Sequence, residues 1–158
     1  MHKLKDVLQQ AQQQGVAVGH FNVSDLALVK AVFTAAQELK MPVIIGASEG
    51  ERAFMGVKQI AALVKSLRDE YDFPVFLNAD HTHSLASALE VTKAGFDSIV
   101  FDLSALPFEE NARRTKQAVE ALKAINLSML VGMVETRAAI LPNCTCNNHR
   151  TGRFVARV

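Results

Sequence analysis

The apolar residues of this chain fall into two periods that take turns. Leu4, Val7, Leu8 and Ala11 recur at helical spacing through a glutamine-rich segment that Gly15 stops. Val16 to Phe21 follows as a short apolar run, read as a strand. Ser24 or Asp25 then caps a long helix carrying Leu26, Val29, Val32, Phe33, Ala36 and Leu39. Pro42 precedes the strand Val43-Ile44-Ile45, which runs into a small-residue loop over Gly46 to Gly50. Ile60, Leu63, Val64 and Leu67 mark the next helix. Val75-Phe76-Leu77 after Pro74 is a buried strand, and Ser84 caps the helix that Gly95 ends. Ser98 to Phe101 is a further strand. Pro107 and the acids Glu109 and Glu110 open a helix through Val119 and Leu122, and Leu127 to Val131 is one more strand. One helix followed by strict strand and helix alternation predicts an α/β fold with about five parallel strands.

Polar groups collect at one place in this pattern. The strands end on Asn22, on Ser48, on Asp80 with His81, and on Asp102. Titratable side chains are expensive to hold at the end of a buried strand, and in α/β folds that rim is where ligands bind. A carboxylate beside an imidazole supplies a proton-transfer pair, or a metal ligand with its helper. A polar strand end that merely caps the next helix explains a bare Asp-His equally well. Four such ends in register favour a shared site, as at the C-terminal face of a barrel.

Charge and composition narrow the partners. Lys and Arg number 17 against 16 Asp and Glu, so electrostatics gives no case for nucleic acid or an anionic membrane. No apolar run approaches the roughly 18 residues that read as a membrane span. No signal-peptide core follows Met1. These features suggest a cytoplasmic protein. Cys144 and Cys146 are too close together to frame a disulfide fold.

Five stretches, in order and spacing, resemble the class II metal-dependent fructose-bisphosphate and tagatose-bisphosphate aldolases. They are Gly19-His20-Phe21-Asn22-Val23, Pro42 to Ile45 with Ser48-Glu49-Gly50, Leu77-Asn78-Ala79-Asp80-His81, Ala94 to Asp102, and Leu106 to Asn111. The resemblance implies a TIM (β/α)8 barrel of which residues 1–131 are the N-terminal part. It implies zinc, or another divalent metal, and cleavage of a ketose 1,6-bisphosphate to dihydroxyacetone phosphate and glyceraldehyde 3-phosphate. It further implies a homo-oligomer. Carried over by position, Asp80 resembles the proton-transfer acid, His81 one of three histidine metal ligands, and Asp102 a ligand of a second metal position. Ser48 and Asn22 resemble substrate-binding residues, while His83 takes no metal role and reads as a solvated neighbour of the helix cap. Aldol cleavage leaves an enediolate, which a divalent cation stabilises as a Lewis acid while Asp80 exchanges the C4 hydroxyl proton. Fructose and tagatose bisphosphates, which differ at C4, both fit.

The resemblance has limits. Leu103 and Ala105 stand where the family has glycine and a larger polar residue after the strand-end aspartate. After Val131 the family stretch is replaced by Gly132-Met133-Val134-Glu135, so no ligand is carried onto Glu135. Residues 132–158 form a tail of different character, with Cys144, Cys146, His149 and four arginines. It reads as an unstructured end or as a shifted reading frame, because codon degeneracy allows 135–140 to encode a glycine-rich stretch one base earlier. Two other functions compete with the aldolase: a non-catalytic half-barrel, and a small metal-binding module using His81 and the tail cysteines. The two remaining metal histidines and the phosphate loop belong to strands beyond residue 131, so the chain alone is expected to be inactive.

Overall fold

In a computed structural model, residues 2–123, 129–135 and 153–157 are described. Helix α1 (Leu4–Gln14) comes first, then β1 (Gly19–Asn22), α2 (Leu26–Leu39) and β2 (Val43–Ala47). Next come α3 (Glu49–Met55), α4 (Val57–Tyr71), β3 (Val75–Thr82), α5 (Leu85–Ala94), β4 (Ser98–Asp102), α6 (Phe108–Lys123), β5 (Met129–Glu135) and β6 (Arg153–Arg157). The strands form one sheet in chain order, with β1 to β5 all parallel. Strand β6 joins β5 antiparallel. The expected α/β architecture with five parallel strands is therefore the architecture found. Cys144, Cys146 and His149, with most of the expected tail, lie outside the described residues.

Local chemistry explains the boundaries. Asp25, not Ser24, caps α2 by accepting the Leu28 N–H at 2.8 Å. Ser84 caps α5 and Gly95 closes it in the left-handed conformation, as the sequence predicts. Strand β1 starts at Gly19 rather than Val16, because the Val16 N–H turns back to the Ala11 carbonyl at the end of α1. The stretch 46–50 is not a loop. Gly46 and Ala47 finish β2, and Ser48 with Glu51 forms a capping box that starts α3, a short helix the apolar periodicity does not reveal. Strand β5 continues past 131 to Glu135.

The two faces of the sheet are covered differently. Ile45, Val75, Leu77, Ile99 and Phe101 pack in one core with Val29, Phe33, Ile60, Val64, Val91 and Leu122 of the flanking helices. On the opposite face Ile44 and Phe76 pack against Leu4, so α1 covers the end of the sheet where the strands begin. Strand β1 is an edge with all four residues exposed. Beside it Phe21, Val32, Leu39 and Met41 line an apolar groove of about 390 Å³ against α2.

A charged clamp fixes the start of β3. Arg68 of α4 donates from Nε to the Val75 carbonyl at 2.9 Å and from its terminal nitrogens to the Asp97 carboxylate at 2.6 and 3.3 Å. Asp97 also accepts the Leu77 N–H at 2.8 Å and donates its own N–H to the Leu77 carbonyl at 2.9 Å. It thus satisfies the edge of β3 before β4 begins at Ser98. Both side chains are mostly buried, so the pair is weakly screened. Arg68→Met should lower unfolding stability by about 1.5–3 kcal/mol, the range for a hydrogen bond to a charged group. The check is a urea titration, with a lower midpoint and an unchanged slope.

Candidate active site

The strand register builds a polar row above the apolar one. His20, Ile44 and Phe76 lie opposite one another, and one step further on Asn22, Gly46, Asn78 and Ser98 do the same. Side chains two apart on a strand share a face, so this row lies on the same face as the α1-covered pair, nearer the strand ends. Asn78 is buried yet fully engaged. Its amide donates to His20 Nε2 at 3.1 Å, and its carbonyl oxygen accepts the Ser98 hydroxyl at 2.7 Å. Gly46 makes room for the row: a Cβ there would stand 2.6 Å from the His20 ring and against the Asn22 side-chain oxygen.

Regular pairing ends just beyond the row. Ala79 lies opposite Ile99 and Thr82 opposite Phe101, so Asp80 and His81 together face a single residue of β4. This is a β-bulge, and His81 within it has φ 42°, the left-handed region that a non-glycine residue enters only at a cost of roughly 1–2 kcal/mol. In an unbroken strand, neighbours point to opposite faces. Here both side chains reach groups at the rim. Asp80 Oδ2 accepts from Asn22 Nδ2 at 3.0 Å, and His81 Nδ1 lies 2.6 Å from Asp102 Oδ2. The other end of the imidazole, Nε2, is 4.0 Å from Asp80 Oδ1.

Asp102 sets the state of the ring. Burial opposes its ionisation, but hydrogen bonds from the Ser104 side chain and backbone, then from His81, outweigh that and hold the carboxyl below its ordinary range. An ionised carboxylate only accepts, so His81 Nδ1 carries the proton and a neutral ring keeps a lone pair on Nε2. A carboxylate that orients an imidazole in this way leaves the far nitrogen available as a base or as a metal ligand. Among the described residues no three such groups converge to hold a metal ion.

The other expected residues take definite places. Asn22 bridges two carboxylates, donating to Asp80 and to Glu51 Oε2 at 3.2 Å. Ser48 sits beside them, but its N–H donates to Glu51 Oε2 at 2.6 Å and its hydroxyl accepts the Glu51 N–H at 3.4 Å, so it caps α3. His83 is exposed; its Nδ1 donates to the Asp102 carbonyl at 2.9 Å and its backbone N–H to Glu49 at 3.0 Å. That agrees with a solvated neighbour of the cap. Sequence reading missed Glu51 as a member of this rim, although the Ser-x-x-Glu spacing at 48–51 was an available signal for it.

The family described as "Fructose-bisphosphate aldolase class-II" matches residues 2–135. A Bacillus subtilis protein named "Probable fructose-bisphosphate aldolase" is 42% identical over 120 residues, covering 74% of this chain and 42% of that protein. The fructose-bisphosphate aldolase of Geobacillus stearothermophilus is 39% identical over 129 residues, covering 80% and 45%. The crystal structure of the YdjI aldolase from Escherichia coli K12 superposes with a TM-score of 0.76 at 27% identity, covering 83% of this chain and 51% of that one. The chain spans less than half the length of these two curated relatives.

The Asp102 environment makes a pH prediction. A carboxylate whose folded pKa is depressed contributes stability above its ordinary value of 3.8, and that contribution is lost as pH falls through the lower folded value. Carboxyl ¹³C titration of the metal-free protein should put the Asp102 midpoint below 3.8. Ser104→Ala and His81→Ala should each raise it. A midpoint indifferent to both substitutions would contradict the hydrogen-bonded arrangement.

Proposed function

The chain belongs to the class II fructose-bisphosphate aldolase family, and from that premise we propose that it supplies the proton-transfer acid and one metal-binding histidine of an aldolase site. The observation that carries this reading is the bulge that delivers Asp80 and His81 to one rim, with Asp102 fixing the ring. The substrate class is a ketose 1,6-bisphosphate, and the products are two triose phosphates. The cation is zinc or another divalent metal, and the family likeness brings a homo-oligomer and a cytoplasmic setting with it. Among the described residues no helix is long and apolar enough to cross a membrane.

The donor set fits a divalent cation in part. A neutral His81 offers Nε2, and Asp102 holds the opposite nitrogen protonated. In this arrangement Asp102 orients the ligand, which fits the loop at Leu103 and Ala105 better than a second metal position does. A bound divalent cation supplies Lewis-acid stabilisation of the negative charge that carbon-carbon cleavage develops. The residues of the chain do the remaining work. Asp80 Oδ1 is free of the Asn22 bond and takes or returns the proton of the C4 hydroxyl. Asn22 holds the Asp80 carboxylate by its other oxygen. Ser48 and Asn22 line the approach for the phosphorylated substrate.

The rest of the site lies with the strands that close the barrel. The exposed β1 edge and the apolar groove beside it suit the addition of a further parallel strand and its helix. The Phe21, Leu39 and Met41 side chains would then be covered.

Two outcomes test the reading. In the protein with its barrel complete, Asp80→Ala should lower kcat by ~10²–10⁴ and leave metal content near wild type, measured by triose phosphate release and metal analysis; wild-type turnover would remove Asp80 from the chemistry. Residues 1–158 purified alone, with zinc and fructose 1,6-bisphosphate, should give no turnover, because a catalytic zinc keeps about three protein ligands and His81 supplies one. Zinc-dependent cleavage abolished by His81→Ala would show that these residues suffice.

A further inference from the structure

One buried charge has no part in the chemistry above. Arg52 of α3 is 2% exposed. Its guanidinium donates to the Ala47 carbonyl at the end of β2, to the Asp80 carbonyl at 3.1 Å and to the Thr82 hydroxyl at 3.1 Å. The nearest paired carboxylate, Glu49, is 3.9 Å away, so the close partners are neutral acceptors. Burying a guanidinium among carbonyls is costly. A hydrophobic residue would fill the space at less cost if filling were all that was needed.

The positions of the partners say what the charge does. Asp80 and Thr82 flank His81, the left-handed residue of the bulge. A planar guanidinium fixes the spacing of the acceptors it bonds. It therefore holds the two ends of the bulge at a set separation and ties them to the end of β2. The Thr82 hydroxyl also reaches the Ala79 carbonyl across the bulge at 3.5 Å and Asp102 holds the ring, but only Arg52 ties the Asp80 carbonyl to the end of β2. Without it the backbone at His81 loses that hold and can relax toward the extended form, turning the ring off the rim.

We propose that Arg52 is a positioning residue that holds the Asp80–His81 bulge in register, so that both side chains face the rim. The inference rests on the reading of Asp80 and His81 as site residues, and its test separates the two. Long-range ¹H–¹⁵N NMR reads the His81 ring in the metal-free protein with its barrel complete, for wild type, Arg52→Lys, Arg52→Met and Thr82→Val, with His81→Ala as the metal-binding control. Cobalt(II) affinity and the thermal midpoint are measured on the same samples.

Wild type should show the Nδ1-protonated tautomer set by Asp102. Both Arg52 variants should lose that signature toward a tautomer average, and cobalt binding should weaken by ~10–100-fold, as for loss of an outer-shell partner. Thr82→Val, which keeps the shape but removes one acceptor of Arg52 together with the long hydroxyl bond to the Ala79 carbonyl, should give an intermediate change. Folded Arg52 variants with wild-type ring signals and a lower midpoint would make Arg52 structural only and overturn the proposal. If neither Arg52 variant folds, Thr82→Val decides, and wild-type signals there overturn it. Ring signals that move while no form binds cobalt keep the role of Arg52 and remove the metal reading. Cobalt binding abolished by His81→Ala but unchanged in Arg52→Lys removes Arg52 and keeps the metal.

Discussion

The site depends on two residues of β3 sharing one place in the ladder. Asp80 and His81 are adjacent, and a strand sends adjacent side chains to opposite faces. The bulge between Ala79 and Thr82 suspends that rule for one step. It requires a histidine in the left-handed region, a conformation seldom held without support from surrounding contacts. The support is visible as hydrogen bonds on both sides: Arg52 on the backbone carbonyl and Thr82, and Asp102 on the ring.

The polar row beneath explains why such a rim can exist at all. Asn22, Gly46, Asn78 and Ser98 lie side by side across four strands, above the Ile44 and Phe76 pair that Leu4 covers. Asn78 bonds Ser98 beside it and His20 below it, so burial of Asn78 and Ser98 leaves them satisfied. The face of the sheet thus grades from apolar where the strands begin to polar and titratable where they end. The Arg68–Asp97 clamp belongs to the first end, where it serves stability. The Asp80–His81–Asp102 group belongs to the other.

Most of the architecture was legible in the residues. The order of helices and strands follows from two apolar periods, and Gly15, Ser84 and Gly95 mark boundaries that the structure keeps. The family likeness was legible because Asn22, Ser48, Asp80, His81 and Asp102 recur at strand ends in fixed order. Among the things that escaped, three have a plain physical cause. Helix α3 is too short for an apolar period to show, although its capping box was present. Strand β1 lost its first residues to the C-terminal cap of α1, where the Val16 N–H turns back to the Ala11 carbonyl. Arg52 carries no signal in the sequence, since nothing in its neighbours announces that it points inward.

The sequence by itself determined the alternation of elements, and with it the rim at which the polar strand ends gather. A parallel sheet with helical crossovers has one carboxyl edge, so chemistry at every strand end must meet there. Only the tertiary structure decided how Asp80 and His81 are aimed. The local pattern from Val75 to Thr82 is compatible with an unbroken strand, which would separate the two side chains. The bulge is selected by contacts from α3 and β4, through Arg52 and Asp102, that lie 28 and 21 residues away along the chain. Preferences between neighbouring residues carry no information at that range, because the energy that settles the backbone of His81 comes from groups that only folding brings to it.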